Sequence, residues 1–150
     1  PSAAWRNLVA PYLDGYMGHI FERIVEQAYY RHFERDNLPL VREWGRWEGQ
    51  DAQRQPLELD IATELSDGRM LPGGVKWNTK PLGVDWYSHH EQMLIRLSQS
   101  GIGWAHEALK PEAPLLFVAS GGYTPAFEKA ARSARANVTL WTLDDLYRRD

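Results

Sequence analysis

Leu57-Glu58-Leu59-Asp60-Ile61-Ala62-Thr63-Glu64-Leu65-Ser66-Asp67-Gly68-Arg69-Met70-Leu71-Pro72-Gly73-Gly74-Val75-Lys76-Trp77 decides how the 150-residue chain folds. Leu57, Leu59 and Ile61 alternate with Glu58, Asp60 and Ala62, the period of a strand with one buried face. Ser66-Asp67-Gly68-Arg69 is a hairpin turn signal, so Leu57–Leu65 and Arg69–Trp77 are expected side by side, the second interrupted by Pro72-Gly73-Gly74. Alternation puts Glu58 and Asp60 on one face, and Gly74 and Lys76 on one face. Neighbouring strands bring such residues within reach of each other. An aspartate beside a lysine on a sheet is one way to hold a divalent cation and polarise its water. It is also an ordinary solvated strand or a simple ion pair.

Outward from this hairpin the chain changes period. Val41–Glu48, with two tryptophans, reads as a further strand ending at Gly49, and Asp36-Asn37-Leu38-Pro39 before it reads as a turn. Gly15–Phe33 is helical, with Met17, Phe21, Ile24, Val25, Ala28 and His32 on one face and Arg23, Gln27 and Tyr30 opposite. Glu22 lies at the edge of that apolar face, where a carboxylate needs a partner or a cation. Gly18, one turn earlier, is expected to let the helix approach the sheet. The opening Ala4–Leu13 reads as a short helix stopped or bent at Pro11.

On the C-terminal side, Asp85–Ser100 reads as a helix with Met93, Leu94 and Leu97 as its apolar stripe and Gly101 as its stop. Leu115–Ala119 is a continuous apolar run, as in a strand buried on both faces. Thr124-Pro125 opens a helix reaching about Arg135, Val138–Trp141 is a last strand, and Leu143–Tyr147 a terminal helical turn. Hairpin strands first and crossover helices later imply one α/β domain over residues 1–150, a mixed central sheet flanked by helices.

Composition narrows the chemistry. There is no cysteine, hence no disulfide, thiolate metal site or cysteine nucleophile. No membrane span or leader pattern is visible, so a cytoplasmic setting is the default. The net charge of −3 is a poor match for a strongly basic nucleic-acid clamp, although 13 of the 17 basic residues are arginines, and Arg42, Arg46 and Arg54 could line a groove. The seven tryptophans suit either core packing or a base-stacking surface. His89-His90 read as solvated or interfacial, since helix neighbours point about 100° apart. Ser120–Thr124 reads as a capping turn. No Walker motif, GxGxxG or nucleophile elbow is present.

The blocks Gly18-His19-Ile20-Phe21-Glu22, Leu57-Glu58-Leu59-Asp60-Ile61-Ala62, Gly74-Val75-Lys76-Trp77 and Leu116-Phe117-Val118-Ala119-Ser120, in this order, resemble the PD-(D/E)XK nuclease-like superfamily. More narrowly the chain looks like the C-terminal domain of archaeal-type (AAA-like) ATPases, a domain of unknown function. The resemblance runs from about Leu13 to Tyr147 and implies a restriction-endonuclease-like αβββαβ core. It implies Glu22, Asp60 and Lys76 as catalytic residues, with Glu22 and Asp60 binding magnesium for phosphodiester hydrolysis. Leu59 stands where the superfamily's proline would be. Gly74 stands where its second acid belongs, which removes a ligand and weakens any magnesium site; Glu58 or, on the next helix, Glu91 are the candidate replacements. The expectation is therefore a nuclease-fold domain with a degraded site, binding nucleic acid or a partner. Active magnesium-dependent endonuclease and structural docking domain regulating the ATPase are the alternatives. Pro1 in place of Met suggests a longer parent, with an N-terminal ATPase domain as partner.

Overall fold

The structure, a computed structural model, describes residues 10–148. Its elements in chain order are α1 (Ala10–His32), β1 (Val41–Glu43), β2 (Trp47–Gln50), β3 (Pro56–Leu59), β4 (Ile61–Leu65), β5 (Met70–Lys76), α2 (Val84–Gln99), α3 (Gly103–Ala108), β6 (Leu115–Ala119), α4 (Pro125–Ala134), β7 (Val138–Trp141) and α5 (Leu143–Tyr147). Five strands form one sheet in the order β1-β4-β5-β6-β7, and β2 and β3 form a separate hairpin. β1, β4 and β5 pair antiparallel, β5, β6 and β7 parallel, so the sheet is mixed. The α/β architecture expected from the sequence holds.

The core divides along the alternation of β6. Leu116 and Val118 pack with Phe21, Val25, Ala28 and Tyr29 of α1 on one face of the sheet. Leu115, Phe117 and Ala119 pack with Tyr87 of α2 and Phe127 and Ala131 of α4 on the other. A strand buried on both faces must be apolar at every position, which is why Leu115–Ala119 shows no alternation. In α1, Arg23, Gln27 and Tyr30 face solvent, as the helical period requires. Thr124 caps α4 by accepting the Phe127 N–H at 3.2 Å.

Two expected strands are each two strands. Val41–Glu48 divides into β1 and β2, which join different sheets. Between them the Gly45 carbonyl accepts the Ala62 N–H at 2.8 Å. A β-carbon on Gly45 would stand 3.0 Å from the Ala62 carbonyl oxygen, so the bare backbone allows this approach. Leu57–Leu65 divides at Asp60, a bend between β3 and β4. The bend changes the face: Leu57 and Leu59 pack with Leu94 and Leu97 of α2, whereas Ile61 packs against α1. The expected common face of Leu57, Leu59 and Ile61 is thereby overturned.

β5 is not interrupted at Pro72-Gly73-Gly74. Pro72 pairs with Ala62 of β4, and pairing with β6 starts only at Gly73. Gly73 is obligatory there, because a β-carbon would lie 1.8 Å from the Leu116 carbonyl oxygen. Gly18 has the opposite character: its β-carbon would meet open space, so it does not serve helix–sheet approach. Pro11 is the second residue of α1, and the part of Ala4–Leu13 before Ala10 lies outside the described residues. Among the described residues no helix is long and apolar enough to cross a membrane.

Candidate functional site

The split at Asp60 opens a cleft of about 740 Å³ where the hairpin β2–β3 leaves the main sheet. Glu22 from α1, Glu58 from β3, Asp60 from the bend and Lys76 from the end of β5 all line it. The structure therefore brings together every acidic and basic residue singled out on the hairpin and on α1.

Asp60 is held by its surroundings. Its Oδ2 accepts the backbone N–H of Val75 at 3.0 Å. Extending the β4–β5 register would place Leu59 opposite Val75, so the carboxylate fills the place that the bend has taken from the ladder. Glu22 faces the same cleft with its side chain 26 % exposed. Burial pushes its carboxyl above the ordinary value and the Asp60 charge adds to this, while Arg46 and His19 pull it down. His19 Nδ1 stands 3.6 Å from Glu22 Oε2, one turn earlier on α1.

Glu58 is engaged differently. It lies directly across the hairpin from Glu48, a like-charge pair, and Arg46 bridges the two at 3.3 and 3.1 Å. Arg46 is thus the groove arginine of the three considered, while Arg42 pairs with Glu64 and Arg54 occupies a left-handed turn position with φ 62°. Lys76 is exposed and, among the described residues, makes no ion pair; Asp60 is not its partner.

Glu91 does not turn toward the cleft. It binds Arg135, whose side chain is 1 % exposed, at 2.9 Å. Burial pushes the Glu91 carboxyl up, but His90 and Arg135 more than offset this and hold it below its ordinary value. As a replacement ligand it is spent. His90 is buried, not solvated or interfacial, with its ring edge-on to Phe117 at 4.8 Å, while His89 is exposed. Ser120 and Thr124 are occupied by local hydrogen bonds to Asn78 and Phe127.

The space over Gly74 is filled. A β-carbon there would lie 2.5 Å from Cη2 of Trp86, whose ring packs on Phe117 and Phe127 at 5.4 and 6.1 Å. An acid at position 74 would have to displace this indole. Trp86 therefore matters to the site as much as the missing acid does, and no local pattern in the sequence marks it. Trp77, the last residue of the block Gly74–Trp77, and Lys80, four residues after Lys76, also stand in the cleft wall, and neither carries a site signal in the sequence.

Among the described residues no group of three or more His, Asp or Glu side chains could hold a metal ion. Glu22 and Asp60 are one pair of carboxylates, Glu58 is tied to Arg46 and Gly74 offers nothing. Alone they do not make a metal centre. A magnesium ion held by one or two carboxylates needs substrate phosphates to complete its shell.

No curated protein and no solved structure matches the chain. A family model matches residues 2–96, a span that holds Glu22, Glu58, Asp60, Gly74, Lys76 and Trp86, and the chain therefore belongs to DUF234, the archaea bacterial proteins of unknown function.

Proposed function

We propose that this chain is a PD-(D/E)XK nuclease-like domain, restriction-endonuclease-like in core, whose reduced site binds nucleic acid in the cleft between α1, the β2–β3 hairpin and the end of β5. The observation that carries this reading is the convergence of Glu22, Glu58, Asp60 and Lys76 on one cleft, combined with an indole over Gly74. That four positions from three separate chain segments line one cleft, with the fifth closed by an indole, supports this reading. Lys76 lies in the cleft without a carboxylate partner, as a phosphate contact requires. Binding of a labelled oligonucleotide across a salt series tests this. A steep fall in affinity with salt is the expected result. Undetectable binding at low salt would instead favour a docking domain that regulates an ATPase partner.

A second reading, a magnesium-dependent nuclease, is favoured by one observation: Glu22 is raised partly by Asp60, so the two carboxylates repel and a cation would relieve them. In that reading Glu22 and Asp60 would hold the ion and Lys76 would sit by the attacked phosphate. The ion would supply charge stabilisation and a more acidic water. Incubation of supercoiled DNA with magnesium or manganese decides it. Nicking that is lost in Asp60→Asn supports the nuclease; an untouched substrate leaves the binding module.

A further inference from the structure

Among the described residues Trp77 is the one large aromatic lining the cleft, at 38 % exposure. Most described tryptophans are packed: Trp141 is buried, and Trp44, Trp47, Trp86 and Trp104 lie against the core clusters. Trp77 is different because it follows the last residue of β5, where side chains leave the sheet. Its ring is not loose. Phe21 of α1, itself buried, meets it at 5.2 Å and 71°. An indole fixed on its core side and open on the other loses little freedom when something stacks on it.

The loop that follows is pinned as well. The Asn78 N–H donates to Ser120 Oγ at 2.8 Å, Ser120 Oγ donates to the Asn78 carbonyl at 2.9 Å, and the Gly121 N–H donates to Asn78 Oδ1 at 2.9 Å. The Asn78 side-chain amide donates to the Lys80 carbonyl. The segment is thus clamped to the end of β6 and presents Lys76, Trp77 and Lys80 together in the cleft wall. Both lysines are exposed and neither makes an ion pair among the described residues. The acids of the cleft come from α1, the hairpin and the bend, with Arg46 between Glu48 and Glu58, whereas the two lysines stand together at the end of β5 and in the loop after it.

The geometry points to Trp77 as a stacking platform for one unpaired nucleobase, with Lys76 and Lys80 taking the flanking phosphates; the ligand of the cleft is a single strand. This rests on the reading that the cleft binds nucleic acid and names the form of it. A base inside a duplex has no free face to offer, whereas an unpaired base stacks on an aromatic ring in any sequence. One indole gives one stack at one place. It fixes register beside Glu22 and Asp60 rather than supplying bulk affinity.

The test titrates the full 150-residue chain against labelled single-stranded oligodeoxythymidylate, an abasic strand of equal length and a blunt duplex, at low salt in EDTA. Fluorescence anisotropy reads the affinity. The base-bearing strand should bind more tightly than the other two. Trp77→Ala should weaken it roughly tenfold, the worth of one base stack, and leave the abasic strand nearly unchanged. Trp77→Phe should keep most of the affinity, and the wild-type difference between base-bearing and abasic strands serves if the alanine variant melts early. Lys80→Ala should weaken both strands alike and reduce the salt slope by about one. Base-bearing and abasic strands bound equally by the wild type, or a base-bearing strand bound as tightly by a folded Trp77→Ala as by the wild type, overturns the platform while leaving nucleic-acid binding in place. A duplex bound as tightly as the single strand also overturns it. No binding to any of the three removes the underlying reading together with it.

Discussion

The Asp60 carboxylate accepts the Val75 backbone N–H at 3.0 Å, at the point where β3 leaves the main sheet and β4 begins. One side chain thus performs two tasks. It satisfies a strand amide that has lost its carbonyl partner, and it presents a second oxygen and a charge to the cleft. The cleft exists because the sheet forks there, and the fork is held by a residue of the cleft wall.

These two tasks separate by substitution. Asp60→Ala leaves the partly buried Val75 N–H without its acceptor and should cost roughly 1–3 kcal/mol. Asp60→Asn keeps an acceptor oxygen and should cost clearly less, while the charge facing Glu22 is lost. Urea unfolding of both variants checks the ranking. Equal losses in the two would show that the charge, and not the hydrogen bond, matters to the fork.

Gly74 is guarded by Trp86. The natural experiment at this position is to restore the acid, Gly74→Glu, but a β-carbon there lies 2.5 Å from the indole. Overpacking of this kind typically costs about 1–3 kcal/mol. Gly74→Glu alone should therefore lower the melting temperature without gaining a metal site. Combined with Trp86→Leu, which clears the space, manganese binding by calorimetry should become detectable. A single Gly74→Glu variant that folds normally and binds manganese would refute the steric argument.

Glu91 and Arg135 form a pair whose arginine is 1 % exposed, with Arg135 also donating to the carbonyls of Ala108 and Lys110. Removing the carboxylate leaves a buried cation, so Glu91→Ala should cost about 3–5 kcal/mol. The folded carboxyl sits below its ordinary value of 4.5. The pair's contribution is therefore present above that value and lost as pH falls through the lower, folded one. Thermal melts of wild type and Glu91→Ala should converge as the solution is acidified below the ordinary glutamate range.

Much of this was legible in the residues because it was local. Leu115–Ala119 could only be a doubly buried strand, Thr124-Pro125 could only open a helix, and Ser66–Arg69 turns the β4–β5 hairpin with Gly68 at φ 88°. The place of Glu22 in the cleft wall was legible for a related reason: a carboxylate at the margin of an apolar face is costly without a partner. The fork was not. Leu57, Leu59 and Ile61 keep perfect alternation through Asp60, and a bend that swaps faces leaves that pattern intact. Trp86 over Gly74 and the burial of His90 depend on how α2 lies across the sheet, and no short-range pattern encodes that.

Glu22 offers the cleanest electrostatic test of the cleft. Its carboxyl is raised first by burial and then by Asp60, against the opposing pull of Arg46 and His19. A group raised in the folded state holds its proton more tightly there than in the unfolded chain. Its favourable contribution is therefore complete below the ordinary value of 4.5 and is lost as pH rises through the folded value. At neutral pH ionised Glu22 is consequently a cost, and Glu22→Gln should melt above wild type. The gap should close as pH falls below the ordinary value. Asp60→Asn removes the second cause of the shift, so Glu22→Gln should gain less in that background, a coupling that a double-mutant cycle reads directly. A gain of the same size in both backgrounds would mean that the two carboxylates do not sense each other, and the paired-acid site would fall with it.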